Sequence, residues 1–170
     1  MMPNVTTPVP RLTLDTSLLL EYWKEQSRRD TTEALLELAQ KGHVELAVTA
    51  RVREDVPRDP LAREIDKLSE IRIEETGSVT RLDYWILGRD QLGSDAFTEF
   101  ENELQERAEK TGVKVPDWRD LDHVHAHFLQ KRDVFLTWDK TVLRLAEELR
   151  SRFEIIILRP DDYLRSRVRS

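Results

Sequence analysis

The chain has 170 residues and 20.0 kDa, of which 39% are hydrophobic and 35% charged, enough apolar mass for one core beneath a heavily charged surface. The absence of cysteine excludes a disulfide scaffold, a thiolate zinc site and a cysteine nucleophile together. With 33 acidic against 27 basic residues the formal charge is −6, which argues against a domain that coats nucleic acid indiscriminately but not against an enzyme acting on it.

In chain order, Met1 to Pro10 has no basic stretch followed by an apolar run, so no secretory leader is expected. Arg11 to Leu14 reads as a strand that hands over at Asp15-Thr16-Ser17 to a helix with Leu18, Leu19, Tyr22 and Trp23 at helical spacing. Arg29 to Thr32 reads as the cap of a second helix stopped by Gly42. Val44 to Val48 reads as a strand. Thr49 then caps a helix carrying Val52 and Val56 that ends at Pro57.

Leu61, Ile65 and Leu68 suggest a further helical turn, Ile71 and Ile73 a strand, and Leu82, Trp85 and Ile86 a short apolar helix face. Ala96 to Lys110 reads as a charged helix, and Gly112 to Pro116 as a loop. Leu121 to Gln130 reads as a helix, Val134 to Thr137 as a strand, Lys140 to Arg150 as one helix, and Glu154 to Leu158 as a last strand stopped by Pro160. Strand and helix alternate nearly throughout, the mark of an α/β domain with a central parallel sheet flanked by helices. No apolar run approaches a membrane span, so a soluble, cytoplasmic protein is expected.

Ligands of open parallel sheets bind beyond the carboxyl ends of the strands. Asp15 and Asp139 each follow a strand, Asp55 lies in the helix after the second strand, and Asp122 lies near the start of the helix before the Thr137 strand. Asp122 and His125 are three apart and share a helix face, which continues to Ala126 and Leu129. Packing of that face on the sheet is expected to draw Asp122 toward Asp139. His123 and His127 share another face, so no triad with His125 converges, and the pair reads as surface histidines. Each acid also has a plainer reading as a turn former, a helix cap or a solvated residue.

Together these segments resemble the PIN domain family of metal-dependent nucleases. The resemblance rests on Leu14-Asp15-Thr16-Ser17, on Val48-Thr49 with Val52, Asp55 and Val56, and on Asp122 with His125 and Ala126. It rests further on Asp133 to Lys140, with its Thr137-x-Asp139 end, and on Ile156 to Leu164. At the second acidic position the family usually has Glu; Asp55 fits the spacing, with Glu54 its competitor.

The resemblance implies a PIN-like domain over residues 11–164, between an N-terminal tail (1–10) and a basic C-terminal tail (165–170). Residues 57–118 form a variable middle segment that matches nothing in the family. It implies an endoribonuclease with Asp15, Asp122 and Asp139 on Mg2+ or Mn2+ and Asp55 completing the catalytic site. Thr16, Ser17 and Thr137 would support the carboxylates, and Arg51, Arg53 and Lys140 would contact the phosphates of an RNA substrate. An antitoxin or other protein partner, and a homodimer formed through the first two helices, are implied in the same way, with Leu19, Tyr22 and Trp23 as candidate contacts that core packing would explain equally well. The alternatives are an inert PIN-like module that binds RNA or protein, and a phosphohydrolase with Asp15 as nucleophile. The latter class begins Asp-x-Asp, whereas position 17 here is serine.

Overall fold

The computed structural model describes residues 8–24, 27–55, 64–74, 79–80, 91–92 and 95–168. Its centre is a five-stranded parallel sheet in the order β3-β2-β1-β6-β7. The strands are β1 (Arg11–Leu14), β2 (Glu45–Thr49), β3 (Ile71–Glu74), β6 (Val134–Leu136) and β7 (Ile157–Leu158). Helices α1 (Thr16–Trp23), α2 (Arg29–Gln40) and α8 (Pro160–Val168) cover one face; α4 (Asp95–Thr111), α5 (Trp118–Leu129), α6 (Lys140–Arg144) and α7 (Ala146–Phe153) cover the other. Between them stand α3 (Val52–Asp55), a 3-10 turn (Ile65–Lys67) and a separate pair, β4 (Val79–Thr80) and β5 (Gln91–Leu92). The α/β architecture expected from the alternation is the one observed.

Strand alternation sorts the side chains between the layers. Leu12, Leu14, Leu46, Val48, Ile71 and Leu136 meet Leu18, Leu19, Leu35, Leu36 and Tyr163 on the first face. Phe135 and Ile157 meet Leu121, Val124, Leu145 and Leu149 on the second, where Phe97, Phe100 and Leu104 of α4 close the cluster. A buried leucine of this kind contributes about 2 kcal/mol by removal from water. Leu19, expected at a dimer surface, is wholly inside, and Tyr22 and Trp23 pack partly buried against the same core.

Several boundaries differ from expectation for local reasons. Helix α5 begins at Trp118 because Asp117 caps it, its Oδ1 accepting from the Arg119 N–H at 2.9 Å. The helix expected over Lys140 to Arg150 is two, divided at Leu145, which leaves helical geometry at φ −90°, ψ 2° and is buried in the second cluster. The last strand is confined to Ile157–Leu158, after Glu154 takes the left-handed conformation (φ 58°) that ends α7. Gly42 turns the chain out of α2 at φ 70°. Arg165 to Val168, expected in a tail, continue α8. Val56, Leu61, Leu82, Trp85 and Ile86 lie outside the described residues. Among the described residues no helix is long and apolar enough to cross a membrane.

Candidate active site

The strand order reverses between β1 and β6, and the chain leaves both strands at the same edge of the sheet. Such a switch point opens a crevice between diverging connections. Here it holds a cleft of about 500 Å³ lined by Asp15, Asp55, Asp120, His123 and Asp139, with Glu21, Arg28, Asp117 and Arg119 toward its sides.

Asp15 and Asp139 follow β1 and β6 directly, and one hydroxyl joins them. Thr137 Oγ1 donates to Asp15 Oδ2 at 2.7 Å and accepts from the Asp139 N–H at 2.9 Å. Ser17 Oγ also donates to Asp15 Oδ2, at 2.7 Å. Asp139 caps α6, its Oδ1 accepting from the N–H groups of Thr141 (2.6 Å) and Val142 (2.9 Å). In each acid one oxygen is thus tied to the scaffold, while the other has no hydrogen bond described.

Asp55 is held from two sides. Its Oδ2 accepts from Thr16 Oγ1 at 2.8 Å and lies 2.8 Å from His123 Nε2, whose Nδ1 meets the Thr49 hydroxyl. Burial works against the Asp55 charge, but the His123 hydrogen bond and charge, the Thr16 bond and Arg51 outweigh it, and its pKa falls below the ordinary value. Burial likewise opposes a charged His123, yet Asp55, then Asp15 and Asp122, raise its pKa. Asp55 lines the cleft; the Glu54 side chain lies outside what the structure describes.

The third acid is where the structure departs from expectation. Asp122 is fully buried and paired with Arg51, itself buried and with its guanidinium 5.0 Å from the Trp118 ring centroid. Neither Asp122 nor Arg51 lines the cleft. Asp120, two residues earlier, does. Burial first, then the charges of Asp15 and Asp139, push the Asp120 carboxyl up to about 6.

The cause is the rotation of α5. Alternation places the small side chains Thr13, Ala47 and Thr49 in a column on the α5 side of the sheet. The imidazoles fill the space above it: His127 Nδ1 lies 2.8 Å from Thr13 Oγ1, and His123 meets Thr49. The sheet-facing stripe is therefore Asp120, His123 and His127, at i, i+3 and i+7, and its first member reaches the cleft. His125 points instead into α4, its ring centroid 5.2 Å from those of Phe97 and Phe100. The pair expected at the surface, His123 and His127, is buried. The same Asp-x-x-His spacing occurs twice in Asp120-Leu121-Asp122-His123-Val124-His125, and the cap at Asp117, which sets Asp120 in the first turn, was the available signal for choosing between the copies.

Arg53 and Lys140 are exposed and stand outside the cleft lining; Arg28 and Arg119 are the guanidiniums that line it. Among the described residues no three acidic or histidine side chains form a ready-made ligand set for an ion. The donors nevertheless suit a hard divalent cation: they are carboxylate oxygens gathered on one cleft, where burial and then the charges of Asp15 and Asp139 raise the pKa of Asp120.

No family model and no curated protein matches the chain. Among solved structures it is similar to a chain of VapBC2 from Rickettsia felis, solved bound to a DNA fragment from their promoter. The match has a TM-score of 0.50 at 15% identity and covers 88% of this chain and 98% of that one. At such identity the likeness speaks to the fold alone.

Proposed function

We propose that this chain, whose fold is PIN-like, is a metal-dependent endoribonuclease that hydrolyses RNA phosphodiester bonds in the cleft between β1 and β6. The observation that carries the reading is the convergence of Asp15, Asp120 and Asp139 from three separate elements on one cleft, where burial, and after it the charges of Asp15 and Asp139, push Asp120 to about 6. Like charges gathered in this way call for a cation.

Asp15, Asp120 and Asp139 would hold Mg2+ or Mn2+, with Asp55 reaching it directly or through water. Bound there, the ion supplies an activated water and stabilises the leaving oxygen. The remaining work falls to the chain. Thr137 and Ser17 hold one oxygen of Asp15, and Thr137 and the α6 N-terminus orient Asp139. Thr16 and His123 fix Asp55, so the carboxylates are positioned before substrate arrives. Asp122 serves the scaffold by neutralising Arg51.

An antitoxin or other protein partner belongs to the same proposal, on the resemblance of the acidic motifs to the PIN family. The chemistry is tested by cleavage of a labelled structured RNA with Mn2+ or Mg2+, comparing wild type with Asp15→Asn, Asp120→Asn and Asp139→Asn. Cutting that requires metal and is lost at least a hundredfold in all three variants is expected. Metal-induced stabilisation without cutting would mark an inert binding module instead.

A further inference from the structure

An acidic cleft receives a polyanion poorly unless a cation on its wall meets the flanking phosphates. The Arg51 guanidinium is committed to Asp122 inside the fold. Arg28 is placed differently. It lines the cleft, its side chain is 41% exposed, and its guanidinium lies 4.5 Å from the ring centroid of Trp138. Trp138 stands between Thr137 and Asp139, so the stacking fixes Arg28 beside the acid-bearing end of β6. The indole is 9% exposed and has a second guanidinium, Arg159, at 5.6 Å, which makes it a platform for cations, not for a base.

One group already occupies Arg28. Glu21 Oε1 lies 2.9 Å from Arg28 Nη1, and both residues line the cleft. A carboxylate and a phosphate present the same paired oxygens to a guanidinium. The pair is part-buried, with the Glu21 side chain 21% exposed, so exchange of the carboxylate for a phosphate keeps the guanidinium partnered.

We propose that Arg28 grips a phosphate flanking the scissile bond of an RNA strand, and that Glu21 is the intramolecular stand-in which this phosphate displaces. The assignment rests on the nuclease reading above and adds to it the contact that holds the substrate. It also gives the cleft a built-in competitor: removing the Glu21 charge frees Arg28 for the strand, a gain that requires Arg28 to be present.

Two measurements on the full chain test it. Anisotropy of a fluorescein-labelled single-stranded RNA in Ca2+ reads binding, since Ca2+ offers oxygen donors the same charge. Cleavage of the same RNA in Mn2+ reads KM and kcat. Arg28→Ala is expected to weaken binding about tenfold and raise KM alike with kcat little changed, the size of one charge-assisted contact. Arg28→Lys should recover part of the loss. Glu21→Gln should tighten binding several-fold, and that gain should vanish in the Arg28→Ala background, as coupling through a shared partner requires. Thermal melts confirm that each variant is folded.

Arg28→Ala binding like wild type, or a Glu21→Gln gain that survives without Arg28, overturns the proposal. Should wild type bind RNA with these dependences yet never cut, Arg28 stands and the nuclease reading falls. Should it cut while Arg28→Ala is neutral, the reverse holds. A wild type that neither binds nor cuts overturns both.

Discussion

Asp122 is fully buried, and its charge is answered by Arg51, buried beside it. Taking one partner away leaves an uncompensated charge in the core, so Asp122→Ala should cost about 3–5 kcal/mol in chemical denaturation. Asp120→Asn should do the opposite. It relieves the repulsion of Asp15 and Asp139, so the metal-free protein should keep or gain stability, while the rise in Tm on adding Mn2+ disappears. An Asp120→Asn variant that is still stabilised by Mn2+ would remove Asp120 from the site. A third residue-scale prediction concerns His125, whose buried Nδ1 has no partner among the described residues and whose pKa burial lowers to about 4. The unfolded chain takes up the proton near 6.5, so stability is lost as pH falls below that value. By pH 5 the loss is about 2 kcal/mol. His125→Leu should match wild type near pH 7.5 and lose less stability at pH 5.

At the scale of elements, α5 decides what the cleft contains. Its first turn carries Asp120, and Asp117 caps that turn. Asp117→Ala should cost about 1 kcal/mol and weaken Mn2+ binding through fraying of the turn. Asp117→Ser keeps a capping oxygen without the charge and should restore the stability. If Asp117→Ser is as unstable as Asp117→Ala, the cap is not what holds α5. The existence of this helix was legible in its apolar spacing, but its rotation was not. Apolar spacing favoured the stripe through Asp122, His125 and Ala126. Three hydrophilic residues, Asp120, His123 and His127, face the sheet because the column they meet, Thr13, Ala47 and Thr49, is small and offers two hydroxyls. That column is assembled from two strands more than thirty residues apart, and no window of sequence contains it.

For the whole molecule, the titrating groups pull in opposite directions. Asp120 has a folded pKa of about 6, above its ordinary 3.8, so between these values the metal-free fold binds more protons than the unfolded chain and gains stability as pH falls. His125 and His127, lowered to about 4 and about 3 by burial, favour the unfolded chain over the same range. His125 and His127, each displaced further than Asp120, predict a Tm that falls from pH 7.5 to pH 5, a fall lessened by Asp120 and by His123, whose pKa Asp55 raises. With saturating Mn2+ the fall should steepen, because protonation of Asp120 now competes with the ion. Scanning calorimetry at both pH values, with and without Mn2+, measures this; equal slopes in the two series would contradict a metal site containing Asp120.

The amino-acid sequence by itself determined the alternation of strands and helices, and hence a parallel sheet covered on both faces. It also placed Asp15 and Asp139 at strand ends, because a residue that directly follows a strand has its position set by the chain. Thr137 was legible for the same reason. Residues on helices were not, since a helix presents several faces and only its neighbours select one. The tertiary structure therefore decided that Asp120 reaches the cleft while Asp122 joins Arg51, and that two histidines expected at the surface lie against the sheet. It decided, too, that Arg28, remote in sequence from Asp55, Asp120 and Asp139, lies over Trp138 at the same edge. Strand-end positions are dictated by covalent adjacency, whereas helix faces are chosen by shape and hydrogen-bonding partners supplied from elsewhere in the chain.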